Sequence, residues 1–278
     1  MFRYTRWTAV REVSLWVVAL VYLLPFYFLV AISLKPDDEV FSTSRLAPPT
    51  SPTIQNFVDV LSATGQSNVL LGLLNSAIIT AGSILVMVLL GSLTGYVISR
   101  STQRWSRGAY LLFLIAIVLP TQLGTVPLYI GARTIGLTGS VWGMIILYSG
   151  MLLPLSIFLY AGFFRGLGTE YEEAASIDGA TRTQIFFRVV LPLMSPATGT
   201  VAILAGLIVW NDFFTSLIFL GGSTSQTLPV AMYYYIGSLV SQWNQIFAIV
   251  IISMIPILAF YLFAQKRFIQ GFAGGLKG

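Results

Sequence analysis

Along this chain apolar residues come in long uncharged runs, and the charged positions that separate them fall in clusters. An uncharged apolar run of about 18 residues or more is long enough to cross a hydrocarbon core as a helix. The apolar runs between charge clusters predict six spans, at about 13–34, 74–99, 109–132, 140–164, 196–220 and 246–264, the fifth interrupted by one charge at Asp212. Pro25, Pro120, Pro127, Pro154 and Pro256 fall inside these runs, where proline kinks helices. The first run has a basic lead, but it is too long for the apolar core of a signal peptide and no small-residue cleavage site follows, so it reads as a retained span. The pattern predicts an all-α integral membrane protein with one domain over 1–278 and no soluble domain or strong repeat. Residues 35–73, the longest piece outside the runs, carry Pro48, Pro49 and Pro52 and predict an extended loop with a short amphipathic turn near Asn56 to Leu61.

Composition agrees with a bilayer. Hydrophobic residues make up 56% and charged residues 9%, with mean hydropathy +0.84, which leaves too little charge to cover a water-soluble surface. The chain has no Cys and no His, which removes thiolate nucleophiles, disulfides, imidazole metal ligands and Ser–His triads together. Neither a catalytic residue nor a metal site is expected. Basic residues set the orientation: Arg3, Arg6, Arg11, Arg100, Arg104, Arg107, Arg165, Arg182, Arg188, Lys266, Arg267 and Lys277 fall on one side of the predicted spans, and only Lys35, Arg45 and Arg133 on the other. The basic side is cytoplasmic, so both termini and the loop 166–194 are expected there. The net charge of +5 is explained by this asymmetry and calls for no nucleic-acid partner.

That loop contains TEYEEAASIDGATRTQIFFRVVLPL, residues 169 to 193, where charges of both signs crowd together. Thr169 with Glu172, and Thr181 with Gln184, have capping-box spacing, predicting two short helices. Asp178-Gly179 supplies the break, because glycine can take the left-handed conformation that ends a helix. Pro192 ends the second helix or re-aims it into the fifth span. Ala174 and Ala175 give the first helix a small-residue face that another surface can approach closely, with Glu172 and Glu173 available to basic groups there. On pattern alone two readings stand: a docking knob, or an amphipathic pair lying at the lipid interface.

The spacing Glu173-Ala174-Ala175, three residues, Gly179, nine residues, Val189, one residue, Leu191-Pro192 resembles the EAA loop of bacterial ABC importer permeases, departing from it by Val189 in place of isoleucine. The resemblance extends over nearly the whole chain. SLKPDDEVF after the first span, IVWNDFF in the fifth and the ending QKRFIQGFAGGLKG are similar to the shorter permease subunit of maltose and oligosaccharide transporters. It implies the type I importer permease fold and a multi-pass place in the bacterial plasma or inner membrane. It also implies partners: a homologous permease, two ABC ATPase subunits and an extracytoplasmic solute-binding protein, in addition to the lipid bilayer. Glu172, Glu173, Ala174, Ala175, Asp178, Gly179, Leu191 and Pro192 would couple this chain to the ATPase, and Gly274, Gly275, Lys277 and Gly278 would form a tail reaching between the ATPase subunits. ATP and Mg would be bound on those subunits. A phosphate-cradling P-loop needs Gly-Lys followed by Ser or Thr, and the three lysines here follow Leu34, Gln265 and Leu276.

Asp212, beside Trp210 and Asn211, is an ionisable group inside a predicted span, where burying a carboxylate is expensive. It reads either as part of the transport path or as a structural group, in a helix-to-helix hydrogen bond or a pair with the partner permease. Asn211, Gln122 and Asn75 are weaker path candidates of the same kind. In the last outer loop Tyr233, Tyr234, Tyr235 and Trp243 read either as an aromatic belt or, by the resemblance, as contacts to the binding protein. No Lys or Arg lies within a span, which favours a neutral sugar or oligosaccharide over a glycerol phosphate. A glycerol phosphate importer, an ion-coupled secondary transporter and a non-transporting scaffold are the competing readings.

Overall fold

A computed structural model describes residues 5–236 and 241–274, and every regular element among them is helical. The helices are α1 (Arg6–Ser33), α2 (Asp37–Ser42), α3 (Gln55–Ser62), α4 (Val69–Arg100), α5 (Arg104–Val118), α6 (Thr125–Thr134), α7 (Val141–Gly166), α8 (Glu170–Ile177), α9 (Arg182–Gln184), α10 (Leu191–Leu193), α11 (Ser195–Asn211), α12 (Phe214–Leu220), α13 (Leu228–Tyr233) and α14 (Trp243–Gly274). Four are long and apolar enough to cross a membrane, over Trp7–Ser33, Val69–Arg100, Val141–Gly166 and Trp243–Leu262, and two bent pairs bring the number to as many as six. Pro25, Pro154 and Pro256 lie inside α1, α7 and α14 without ending them.

The chain divides into two compact units. The first holds the residues up to Leu70 together with Ala231–Ile255. There α1 presents an apolar surface to its surroundings along most of its length, with Trp16, Leu20, Leu23 and Val30 all exposed. Below its end the backbone is locked by buried amides. Asn56 Nδ2 donates to the Ser33 and Lys35 carbonyls, both at 2.8 Å, and Asn244 Nδ2 donates to Asp37 Oδ1 at 2.6 Å and Asn56 Oδ1 at 2.9 Å. The Lys35 ammonium is buried and donates to Thr43 Oγ1 and the Ser44 carbonyl. A buried charge needs such partners. Glu39 accepts from the Thr50 N–H at 2.7 Å, and that hydrogen bond holds its carboxyl below the usual carboxylate range. Residues 35–62 therefore form two short helices clasped by hydrogen bonds, a more ordered loop than the prolines alone predict.

The second unit comprises Leu71–Val230 and the chain from Pro256 onward. Within it α4 and α7 run parallel at close range because small residues face the contact. A Cβ on Gly82 would meet Ile145, one on Gly91 would collide with Ser156, and one on Gly95 would lie 2.8 Å from the Tyr160 Cβ. Ser156 Oγ donates to the Met87 carbonyl at 2.9 Å across the same contact. Two apolar clusters flank it: Ile79, Met144, Leu147, Val209, Phe219 and Leu220 in one, and Tyr160, Phe164, Ile185, Phe186, Val190 and Val201 in the other.

The third and fifth predicted spans are not single helices. α5 ends at Val118, and after a 3-10 turn over Thr121–Gly124 the chain continues as α6 at 92°. Pro120 accounts for the break, since it lacks the N–H that would continue the ladder and turns the preceding residue toward extended backbone. α11 has 17 residues, about 25 Å of rise and short of the roughly 30 Å of a hydrocarbon core. It stops at Asp212, whose backbone is extended, and α12 resumes two residues later.

Candidate functional site

The segment 169–194 forms an elbow outside the long helices. α8 is its first arm, and Gly179 ends it with φ at +81°. The Ala180 N–H donates to the Ala175 carbonyl and the Gly179 N–H to the Ser176 carbonyl, so the expected left-handed glycine closes the helix in a Schellman turn. The Thr181–Gln184 capping box is formed, with the Gln184 N–H donating to Thr181 Oγ1 and the Thr181 N–H to Gln184 Oε1. The other expected box is not. Thr169 is helical rather than extended, its hydroxyl donates to Glu173 Oε1 at 2.7 Å, and Glu172 turns away from it.

Glu172 is held from the opposite side. Its Oε1 accepts from Arg100 Nε at 2.8 Å and its Oε2 from the Tyr96 hydroxyl at 2.7 Å. The same guanidinium donates through Nη1 to the Phe164 carbonyl and through Nη2 to the Leu167 carbonyl, each at 2.9 Å. Those carbonyls belong to the end of α7, where a helix leaves its last acceptors without partners and favours positive charge. Tyr96 also packs edge-on to Phe164 and tilted against Phe186. Glu172, expected to face an outside partner, is thus an internal tie among α4, α7 and α8. Glu170, Tyr171, Glu173, Ala174, Ile177 and Asp178 remain on the exposed side, with Ile177 86% exposed. Ala175 turns inward onto the apolar cluster around Phe186.

The second arm is irregular. α9 is a single turn, Ile185–Val190 is π-helical, and α10 holds Leu191 and Pro192 before the chain bends 70° into α11. Leu191 packs on the cluster beneath, and Pro192 is exposed. The π turn widens the ladder by one residue per bond, and Pro192 and Pro196 remove two donors at the bend.

The path candidates have separate hydrogen-bond partners. Asp212 Oδ2 accepts from the Tyr148 hydroxyl and Oδ1 from the Thr215 N–H, both at 3.1 Å. Ser216 Oγ lies 2.9 Å from the same Tyr148 hydroxyl, and the order that uses each proton once runs Ser216 to Tyr148 to Asp212. Asp212 thus sits at a helix break and caps the start of α12, rather than standing within a continuous helix. Asn211 is exposed and donates to the Leu207 carbonyl one turn back. Gln122 is exposed in the turn that follows Pro120. Asn75 is buried, donating to the Gln226 carbonyl, while Ser76 Oγ accepts from the Leu228 N–H, so this pair grips the start of the last outer loop. The three tyrosines of that loop divide. Tyr233 and Tyr234 are exposed, whereas Tyr235 is buried with its hydroxyl donating to the Ser67 carbonyl. Trp243 is exposed at the start of α14. Gly274 is the last residue of α14; Gly275, Lys277 and Gly278 lie outside the described residues.

Tyr96 was not among the residues the sequence singled out, and Arg100 was read only as a marker of orientation. The available signal was an arginine ending a long uncharged run, with its partner 72 residues away.

Comparison with known proteins gives the family. The family described as the binding-protein-dependent transport system inner membrane component matches residues 87–274. The chain is similar to the probable starch degradation products transport system permease protein AmyC of Thermoanaerobacterium thermosulfurigenes, 32% identical over 93% of each chain. It is similar also to the melibiose/raffinose/stachyose import permease protein MelC of Bacillus subtilis (strain 168), 31% identical over 94% of each. In fold it is similar to a chain in the crystal structure of a bacterial ABC transporter involved in the import of the acidic polysaccharide alginate, with TM-score 0.83 and 22% identity, covering 96% of this chain and 100% of that one. This protein belongs to the binding-protein-dependent transport system inner membrane component family: it is an ABC importer permease, a transport component and not itself an enzyme.

Proposed function

We propose that this chain moves a neutral sugar or oligosaccharide into the cytoplasm by alternating access, paired with a homologous permease and driven by two separate ATPase subunits. The observation that carries the reading is the elbow: a short helix with Tyr171, Ala174 and Ile177 exposed on it, projecting at the motif that resembles the ATPase-coupling loop. An exposed apolar side chain in a charged segment suits a protein cleft. The sugar-import names of the relatives and the absence of Lys and Arg from the long apolar runs support the substrate class. In this reading six spans are reached by counting α5 with α6 as one crossing and α11 with α12 as another, and both termini and the elbow face the cytoplasm of a bacterial cell membrane. ATP and Mg bind the partner subunits, the tail that includes Gly274, Gly275, Lys277 and Gly278 reaches between them, and the outer face carrying Tyr233, Tyr234 and Trp243 meets a solute-binding protein. Glycerol phosphate import remains the alternative in substrate.

Uptake of labelled oligosaccharide in cells carrying Gly179→Pro or Glu173→Lys tests the coupling. Loss of uptake with the permease pair still assembled supports it. Full activity in both variants contradicts it.

A further inference from the structure

The elbow's two arms join the rest of the molecule by different physics, and the first arm's attachment is the more specific. One guanidinium, on the last residue of α4, makes three hydrogen bonds to three chain segments: the Glu172 carboxylate on α8, the Phe164 carbonyl inside the last turn of α7, and the Leu167 carbonyl just past it. Arg100 and Glu172 keep only 19% and 15% of their side chains exposed. The Tyr96 hydroxyl takes the second carboxylate oxygen one helical turn earlier on α4. A planar fork with fixed donor directions holds its acceptors in one relative geometry, as an ammonium on a flexible stem does not. α4 and α7 are already locked together through Gly91, Gly95 and Ser156, so α8 is tied to a stiff pair.

The geometry points to Arg100, with Tyr96 and Glu172, as the positioning residues that carry a displacement of α8 into α4 and α7. This rests on the reading that α8 seats in the ATPase. None of the three touches the ATPase or the sugar; they act by fixing where α8 stands relative to two spans. When the tie is cut, α8 still follows the ATPase, but its movement is absorbed at the end of α7 instead of tilting the spans. ATP is then hydrolysed without a matching sugar movement.

The test uses the whole assembly in proteoliposomes, with the partner permease, the ATPase subunits and the sugar-loaded binding protein, comparing Arg100→Gln, Glu172→Gln and the double variant. The readout is ATP hydrolysed per sugar imported, a ratio that loss of folded protein leaves unchanged because both rates fall together. The expected result is a several-fold rise in that ratio for each single variant, with the double variant no worse than either, as for two residues acting through one contact. An unchanged ratio in both single variants, or losses that multiply in the double, overturns the proposal. Should Arg100→Gln not assemble, Arg100→Lys keeps the charge opposite Glu172 but cannot serve both carbonyls in the same geometry; a raised ratio supports the tie and a normal one overturns it. A photocrosslinker at Ile177 separates this proposal from its foundation. Crosslinks to the ATPase with a normal ratio remove the tie alone, whereas their absence removes the docking reading itself.

Discussion

The two arms of the elbow meet the rest of the chain in opposite ways. Upstream, α8 is held by directed charge-assisted hydrogen bonds to the ends of two long helices. Downstream, the route to α11 runs through a left-handed glycine, one capped turn, a π turn and a 70° bend, with Ile185, Phe186 and Val190 packed against Tyr160 and Phe164. Apolar packing is non-directional. The upstream joint therefore specifies a geometry through directed bonds, while the downstream joint is held by packing. In the proposed mechanism, a helix fixed by directed bonds at one end and by packing at the other would act as a lever, with its fixed end on α4 and α7.

The contrast can be broken most strongly at Arg100. Arg100→Ala leaves Glu172 without its cation, removes the guanidinium from the Leu167 carbonyl and leaves the Phe164 carbonyl with only the Leu167 N–H, and should destabilise the assembled transporter by about 3 kcal/mol, read as a fall in its thermal unfolding temperature in detergent. At the downstream joint Gly179→Ala forces a side chain into the left-handed region at about 1.5 kcal/mol, with no steric clash, since nothing lies within 4 Å of the added Cβ. Thr181→Ala removes the formed cap and should cost about 1 kcal/mol. An order with either downstream change exceeding Arg100→Ala would reverse the assignment of the stiff joint. The smallest effect belongs to neither arm and serves as a control. Because its folded value is depressed, Glu39 contributes stability that is complete above its ordinary value of 4.5 and is lost as pH falls through the lower folded value. Glu39→Gln should therefore flatten the acid side of the melting profile and leave ATP hydrolysed per sugar at neutral pH unchanged.

Much of this was legible in the chain because long spans and helix caps are local signals. Charge gaps located the long helices, and Gly179 and the Thr181–Gln184 pair stopped and started the elbow where their spacing predicts. The Thr169–Glu172 pair had the same spacing and did not form a box, because a half-buried arginine competes for the carboxylate more strongly than a backbone N–H does. Pro120 carried the signal for the break in the third span. The break at Asp212 was written in Asn211-Asp212, two residues that prefer helix ends, but the apolar run around them masked it. Tyr235 could not be told from Tyr233 and Tyr234, since what sets it apart is a carbonyl at Ser67, distant in sequence. Side chains whose partners lie tens or hundreds of residues away were the part that only the folded chain supplies.

The lever itself can be measured directly. The chain has no native cysteine, so paired spin labels can be placed at Val97 and Ser176 across the upstream joint, and at Ser176 and Leu207 across the downstream one, in the reconstituted assembly. Through the ATP cycle the first distance is predicted to hold while the second shifts. A first distance that changes as much as the second would contradict the account.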